Sequence, residues 1–247
     1  MKEKLAGINS IVEALKGRRR IDKILVQENR QESKRMAELL QLASKKGVFV
    51  QVVEKSRLDK LYTIGNHQGI IALVDAYSYS SLEEVLEYAA LSKQAPFLVI
   101  LDGIEDPRNF GAIVRTAESA GVHGIIVPRH HSVTVNETVA RASAGAIEYM
   151  PIIQVANLVN TIKGLKEQGM WVIGADMEAK DHYYNLSIPT PTVLVIGGEG
   201  KGLKRLVKEN CDLLLKIPMK GQMASLNASV AAALLIYEVL RQREVKP

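Results

Sequence analysis

The sequence has little cysteine and few aromatic residues. Among its 247 residues the one cysteine is Cys211, so a disulfide framework within the chain is excluded and a cysteine-based zinc site is not expected. A single cysteine fits the reducing cytoplasm, where we expect the protein to reside. Aromatic residues make up 5% of the chain, which disfavours recognition of single-stranded nucleic acid by stacking on aromatic rings.

Long apolar runs are also missing. No run reaches the roughly 18 residues that a membrane-spanning helix needs; the longest, residues 228–236, contains Ser229. The opening MKEKLAGINS has no long apolar stretch, so a secretory signal is not expected. The five histidines include the neighbours His130 and His131, which make a poor metal site on one loop. We therefore expect no membrane partner and no bound metal.

What the chain does have is an uneven distribution of charge. Residues 1–75 hold 15 Lys/Arg against 9 Asp/Glu, whereas residues 76–247 hold 17 against 18. A basic segment beside a near-neutral one is typical of a module that grips a polyanion, attached to a second body. A solvated, soluble surface explains the same charges equally well.

Two segments can be distinguished by their patterns. In the first, strands are predicted at 23–26, 48–53 and 69–74 and helices at 8–15 and 34–46, which together form a small α/β domain over residues 1–75. Residues 76–95 are predicted as a linker with a short helix.

The second segment, residues 96–247, alternates short apolar strands with helices. Strands are predicted at 96–104, 124–127, 150–155, 171–175, 192–197 and 213–217, and helices at 109–120, 136–143, 157–168, 202–209 and 226–243. This alternation predicts an α/β fold with a mainly parallel sheet covered by helices on both faces. Ligands bind beyond the carboxyl ends of the strands in such sheets, so polar clusters at those positions are candidate sites.

The first cluster is LDGIEDPRNFGAIVRTAESAG (101–121). The strand is predicted to end at Asp102 and Gly103, and Asn109 is predicted to cap the next helix. Arg115 lies in that helix among small and apolar neighbours. It is either a surface arginine of an amphipathic helix or an arginine held near the sheet edge to bind phosphate.

The second cluster is the glycine-rich turn VLVIGGEGKGL (193–203), which contains Glu199. It is not a phosphate-binding P-loop, because Val195 replaces the first glycine and Gly202 stands where serine or threonine is required. It is not G-x-G-x-x-G either, because Leu203 replaces the third glycine. The glycines allow backbone to approach a ligand closely, and a plain tight turn explains them as well.

The third cluster is LKIPMKGQMASLNASVAAALLIYE (215–238), a strand, a polar loop and a long helix. Ser225 or Asn227 is predicted to cap that helix, and this role alone explains either residue. A helix start also presents free N–H groups to an anion.

Together and in this order, the three clusters resemble the three motifs of the SpoU (TrmH) family of RNA 2′-O-ribose methyltransferases. The matching positions are Asn109, Gly111, Arg115, Glu199, Ser225 and Asn227. GINSIVEAL (7–15) and NHQGIIALV (66–74) resemble the substrate-binding domain of the RlmB-like branch, which implies methylation of a guanosine in 23S rRNA.

The resemblance implies a trefoil knot in the C-terminal sheet and S-adenosylmethionine (SAM) as cofactor. Backbone and apolar side chains would hold the adenosine; the positions carried over are Ala175, Gly197, Gly198, Ile217, Met219 and Leu226. It further implies a homodimer, with the last helix and the helix of the first motif near the interface.

The family assigns the arginine matching Arg115 as general base, with an RNA phosphate taking part. A guanidinium is effectively always protonated in proteins, so a phosphate clamp is physically easier. The polar residues Asn109, Glu199, Ser225 and Asn227 would orient Arg115 and the ribose.

The N-terminal segment is expected to select the RNA. The candidate contacts are Arg18, Arg19, Arg20, Lys23, His67 and Gln68. A solvated turn at residues 18–23 and a tight turn at residues 66–69 explain them equally well. Three alternatives remain: the same chemistry on tRNA or another rRNA nucleotide, a non-catalytic RNA-binding protein, and a nucleotide enzyme, which the failed P-loop match disfavours.

Overall fold

Two β-sheets organise the chain. The computed structural model describes residues 2–17, 19–29, 33–200 and 202–244. One sheet has four strands and the other has seven. Each sheet forms the centre of its own compact unit.

The first unit contains the four-stranded sheet and comprises Met1–Ser78 together with Thr134–Tyr149. Its strands are β1 (Lys2–Ala6), β2 (Ile21–Gln27), β3 (Phe49–Val53) and β4 (Ile70–Asp75). Its helices are α1 (Ile8–Lys16), α2 (Lys34–Lys45), α3 (Lys55–Leu61), α6 (Glu137–Ala142) and a 3-10 turn at Ala146–Glu148. The strand order is β1-β4-β2-β3, in which β4 is antiparallel to both neighbours and β3 is parallel to β2. The predicted strands and helices of this region are confirmed, whereas β1 and α3 were not predicted.

Helix α2 shows how the local sequence produces this unit. The Ser33 side chain caps the helix by accepting the N–H of Met36 at 3.2 Å. Met36, Leu39 and Ala43 recur at helical spacing and are buried. Leu40, the fourth apolar residue of the stripe, is 38% exposed because it lies at the edge of the buried face.

The structure divides the chain differently from the sequence prediction. Residues Thr134–Tyr149 fall within the predicted C-terminal segment, 96–247, but pack in the first unit. One link is the Tyr149 hydroxyl, which donates to the Glu13 carboxylate of α1 at 2.8 Å. Periodicity shows which face of a helix is buried, but not which distant element the helix packs against. The sequence pattern therefore could not predict that this segment belongs to the first unit.

Arg19 is buried in the first unit, which corrects its prediction as an exposed RNA contact. Its side chain is 6% exposed, and its guanidinium lies 3.3 Å from the Glu3 carboxylate and 3.6 Å from that of Glu148. It also lies over the ring of Tyr77, 5.6 Å from the centroid. Burial raises the pKa of Glu148, an effect that the positive charge of Arg19 opposes. Arg19 therefore links strand β1 to the segment Thr134–Tyr149 by charge.

The second unit contains the seven-stranded sheet and comprises Tyr79–Val133 and Met150–Pro247. Its strands are β5 (Phe97–Asp102), β6 (Gly124–Pro128), β7 (Ile152–Val155), β8 (Trp171–Ala175), β9 (Asp181–His182), β10 (Thr192–Gly197) and β11 (Leu213–Lys216). Its helices are α4 (Leu82–Leu91), α5 (Pro107–Ser119), α7 (Leu158–Glu167), α8 (Arg205–Glu209) and α9 (Ala228–Glu244). The strand order is β7-β6-β5-β10-β8-β11-β9, and every neighbouring pair is parallel.

Both faces of the seven-stranded sheet are covered, as the apolar strands predicted. Leu98 and Ile100 of β5 pack in one apolar cluster with residues of α4, α7 and α8. The alternate residues Phe97, Val99 and Leu101 are also buried, and α9 packs against β10 and α5. The predicted α/β fold with a parallel sheet is confirmed, and the trefoil knot stays a prediction. None of the helices in the described ranges is long and apolar enough to span a bilayer.

We expect Arg19→Ala to lower the free energy of unfolding by about 3–5 kcal/mol, because it leaves a buried carboxylate without its cation. The matched control is Arg20→Ala, since the Arg20 side chain is 79% exposed; it should change stability by about 0.5 kcal/mol or less. Urea denaturation followed by circular dichroism measures both. Similar small losses in the two variants would contradict the buried role of Arg19.

Candidate active site

A cavity of about 510 Å³ opens at the carboxyl ends of β8, β10 and β11. Its walls come from the residues that follow these strands and from the first turn of α9. All six residues predicted to hold the cofactor line this cavity: Ala175, Gly197, Gly198, Ile217, Met219 and Leu226. The volume is in the range of ligand pockets, and the position is the one at which parallel sheets bind ligands.

The glycine loop (residues 197–200 and 202–204) forms one wall of the cavity, and its two ends pack closely against each other. The Gly202 N–H donates to the Gly198 carbonyl at 3.1 Å. A β-carbon at Gly197 would overlap the Gly202 carbonyl, and one at Gly198 would overlap the Gly103 carbonyl oxygen. At both positions the neighbouring backbone leaves no room for a side chain. Glycine is therefore required here whether or not a ligand also approaches the loop.

The Glu199 carboxylate joins the three predicted motifs in one hydrogen-bond network. Its Oε1 oxygen accepts from Asn109 Nδ2 at 3.0 Å, from Asn227 Nδ2 at 2.6 Å and from the Ala228 N–H at 3.3 Å. Asn227 Nδ2 also lies 3.0 Å from Asn109 Oδ1. Three residues that are far apart in the sequence thus meet beside the cavity, to which Glu199 itself belongs.

Asn109 is free to join this network because it does not cap α5, which corrects the sequence prediction. The cap is Asp106, whose side chain accepts the Arg108 N–H at 2.8 Å, and Pro107 occupies the first helical position. Proline is favoured there because its missing N–H would be unsatisfied anyway. Asn109 therefore lies in the first turn of the helix.

Of the two candidate caps of α9, the structure selects Asn227. Its Oδ1 accepts the Ser229 N–H at 3.0 Å and the Ser229 hydroxyl at 2.6 Å. Ser225 is exposed and lines the cavity, with no hydrogen bond to the helix among the described contacts. One amide side chain thus closes the helix with its oxygen and reaches Glu199 with its nitrogen.

Comparison with known families identifies the family to which this chain belongs. The model of the SpoU rRNA Methylase family matches residues 96–237, which carry every residue of the cavity and the network. The chain belongs to the SpoU family. A second model, for RNA 2′-O ribose methyltransferase substrate binding, matches residues 4–80. The protein is therefore an RNA methyltransferase with a substrate-binding segment.

Individual SpoU relatives agree with this assignment. The chain is 46% identical to YacO of Bacillus subtilis (strain 168), named for the TrmH family of tRNA/rRNA methyltransferases, over 96% of this chain and 94% of that one. The crystal structure of the SpoU methyltransferase AviRb from Streptomyces viridochromogenes with AdoMet is 25% identical, with a TM-score of 0.80 over 99% of this chain and 92% of that one. An RNA 2′-O ribose methyltransferase structure is 26% identical, with a TM-score of 0.78 over 99% and 90%.

Arg115, the arginine of the first SpoU motif, lies exposed on α5. Among the described residues it makes no hydrogen bond or ion pair with Asn109, Glu199 or Asn227. The expectation that these residues orient Arg115 directly is therefore not seen in this structure. An exposed guanidinium that has no hydrogen bond or ion pair in the described part of the chain remains available to an external anion.

The cavity also has a charged wall that is not predicted from the sequence. The Lys208 Nζ atom of α8 lies 2.9 Å from Asp176 Oδ2 and 3.0 Å from Glu178 Oε2. Hydrogen bonds to Asp176 and Glu178 raise the pKa of Lys208, so this residue stays charged. The available signal was the position of Asp176 and Glu178 directly after β8.

The remaining RNA-binding candidates at residues 18–23 differ in accessibility. Arg18 lies outside the described residues. Arg20 is exposed, and Lys23 is half-buried on β2. Arg20 is therefore the most accessible cation of this cluster in the part of the chain that the structure describes.

His67 and Gln68 have different surroundings. His67 is 5% exposed; its Nδ1 accepts the Gly69 N–H at 2.9 Å and its Nε2 lies 2.8 Å from Asp59 Oδ1. Both ring nitrogens are thus occupied, so the ring holds the turn in shape. Gln68 is exposed and lines a polar cavity of about 450 Å³ that also contains Asn66.

We expect Asn227→Ala to destabilise the protein by about 0.5–2 kcal/mol through loss of the α9 cap. Ser225→Ala should change stability by about 0.5 kcal/mol or less, because no cap is lost. Chemical denaturation of the two variants measures the difference. A larger loss for Ser225→Ala than for Asn227→Ala would overturn the assignment of the cap.

Proposed function

We propose that this SpoU protein transfers a methyl group from SAM to a ribose 2′-hydroxyl of RNA. The observation that carries the proposal is the convergence of Asn109, Glu199 and Asn227 at the edge of a cavity of about 510 Å³. Polar side chains grouped beside a largely apolar pocket are what the alignment of a ribose with a bound cofactor requires.

The cofactor is SAM, as in the AdoMet complex of the relative AviRb. The cavity fits it, because Ile196, Leu203, Met219 and Leu226 offer apolar walls and the glycine loop offers backbone groups. Aromatic bases such as adenine suit walls of this kind. When bound, SAM supplies an electrophilic methyl group.

The protein must therefore orient the ribose and allow the 2′-hydroxyl to lose its proton. The Glu199 Oε1 atom already accepts three hydrogen bonds, so we assign Glu199 the task of fixing Asn109 and Asn227 rather than that of a base. The two amides would then position the ribose, with Ser225 at the cavity wall.

We propose that Arg115 clamps an RNA phosphate next to the target ribose. Its guanidinium is exposed, permanently charged and shaped for bidentate binding of phosphate. The clamp would hold the 2′-hydroxyl in line and stabilise the charge that develops as the hydroxyl passes its proton to the clamped phosphate or to water.

The proposed target is a guanosine of large-subunit 23S rRNA, as in the RlmB-like branch. Support comes from the substrate-binding model that matches residues 4–80 and from the excess of positive charge in residues 1–75. Arg20, Lys23 and Gln68 are the proposed contacts of this segment. The second candidate is tRNA, because the relative YacO carries both substrates in its name.

We further propose that the protein is a homodimer joined through α9, with the trefoil knot of the family in its sheet and a cytoplasmic location. Val230, Leu234 and Tyr237 lie at helical spacing on α9 and are 48%, 38% and 48% exposed. An exposed apolar stripe beside the helix of the first motif is what a self-complementary interface requires.

We expect Arg115→Ala to abolish methyl transfer while leaving the SAM dissociation constant near that of the wild type. Gly197→Val should instead weaken SAM binding, because its side chain would overlap the Gly202 carbonyl. Incubation with methyl-labelled SAM and rRNA or tRNA transcripts measures transfer, and calorimetry measures binding.

Arg115→Lys is the matched variant, since it keeps the positive charge and should retain part of the activity. An equal loss of SAM binding in Arg115→Ala and Gly197→Val would contradict the clamp. A wild-type protein that binds RNA but labels none, indifferent to SAM, would instead be a non-catalytic RNA-binding protein.

We expect Leu234→Arg to convert the dimer to a monomer in sedimentation experiments, because a charge would be buried at the interface. Leu91→Arg on α4 is the control, since Leu91 is 77% exposed and lies outside the proposed interface. A dimer that survives Leu234→Arg, or is lost equally in both variants, would contradict the α9 interface.

A further inference from the structure

The Asp102 carboxylate is buried at the carboxyl end of β5 and is not part of the Glu199 network. The residue is 1% exposed, and its side chain is fully buried. A buried carboxylate is unfavourable unless it is paired or hydrogen-bonded, so its contacts show what it is retained for.

The carboxylate and the main-chain carbonyl of Asp102 both contact the glycine loop. Its Oδ2 accepts the Lys204 N–H at 2.8 Å, and its Oδ1 lies 2.9 Å from the Lys204 Nζ atom. Its main-chain carbonyl accepts the Gly198 N–H at 2.9 Å. Oδ1 accepts no hydrogen bond in the described part of the chain, so the lysine ammonium compensates its charge.

These contacts hold both ends of the loop to one residue. Gly198 is fixed at the beginning and Lys204 at the end, and Glu199 follows Gly198 directly. The loop between them forms a wall of the cavity. A displacement of the loop would therefore move Glu199 away from Asn109 and Asn227 and reshape the pocket at the same time.

We propose that Asp102 is a positioning residue that clamps the glycine loop and thereby sets the place of Glu199 and of the cavity wall. The proposal rests on the proposed function, because it assigns Asp102 a part in SAM binding and methyl transfer. Asp102 itself touches neither Asn109 nor Asn227 among the described contacts, so it acts through the loop.

The same sheet contains a comparable carboxylate, Asp212, which does not line the cavity and whose side chain is 21% exposed. Asp212 precedes β11, and its Oδ2 accepts the Val172 N–H at the beginning of β8 at 2.9 Å. Its Oδ1 lies 2.6 Å from the Lys166 Nζ atom. Asp212 thus has the same pair of partners, a backbone N–H and a lysine, but at the amino ends of the strands. Variants of Asp212 therefore show what the loss of such a pair does to stability, whereas variants of Asp102 also show what it does to the cavity.

The experiment compares Asp102→Asn and Asp102→Ala with Asp212→Asn and Asp212→Ala in the full-length protein. For the Asp102 variants we expect the SAM dissociation constant to rise by about 10- to 100-fold, the size expected for a hydrogen bond to a charged group. The Asp212 variants should bind SAM and methylate RNA as the wild type does, even where their melting temperature falls. Calorimetry and labelled-methyl transfer provide the two readouts.

A second readout tests that Asp102 acts through Glu199. Adding Asp102→Asn to a Glu199→Gln variant should lower kcat little further, because both changes disturb the same network. Fully additive losses, or SAM affinity in Asp102→Asn equal to that of the wild type, would overturn the proposal. So would equal losses in the Asp102 and Asp212 variants.

Hydrogen exchange tests the contact between Asp102 and the glycine loop without measuring catalysis. The Lys204 amide should exchange faster in Asp102→Ala and not in Asp212→Ala, because its acceptor is lost. A wild-type protein that bound no SAM would overturn the proposed function, whereas unchanged exchange at Lys204 in Asp102→Ala would overturn the clamp.

Discussion

The site depends on one carboxylate oxygen. Glu199 Oε1 accepts hydrogen bonds from Asn109, Asn227 and the Ala228 N–H, and these donors come from two helices that are far apart in the chain. Because one carboxylate oxygen can accept several donors at once, this atom links α5, α9 and the glycine loop at the rim of the cavity. If Glu199 moved, the two amides would lose the acceptor that they share.

The parallel sheet explains why these segments can meet at all. The carboxyl ends of β5, β8, β10 and β11 lie on one edge, so the loops that follow them converge although the sequence separates them. The loop after β5 leads into α5 and Asn109, and the loop after β10 presents Glu199. Packing of the glycine backbone on its own carbonyls makes this second loop compact enough to border a pocket.

The apolar strands predicted the parallel sheet, because apolar periodicity is a local signal. The six residues proposed for the cofactor came instead from the resemblance to the SpoU motifs, and all six line the cavity. Two predictions are wrong, and for different reasons. Asn109 is predicted as the cap of α5, but the neighbouring Asp106 caps this helix, which leaves the Asn109 amide for Glu199. Arg19 is predicted as an RNA contact or as part of a solvated turn, but its side chain is buried beside Glu148, which lies 129 positions further along the chain. Nothing in a local pattern reports such a contact, since periodicity describes faces of elements and not their partners.

The central claim is that this cavity serves methylation of a ribose in RNA. Its most direct test is to map ribose methylation across rRNA and tRNA in source cells that lack the protein. The account predicts that a ribose methylation of large-subunit rRNA disappears and returns with the wild-type chain but not with the Arg115→Ala variant. An unchanged pattern of ribose methylation in both kinds of RNA would contradict it.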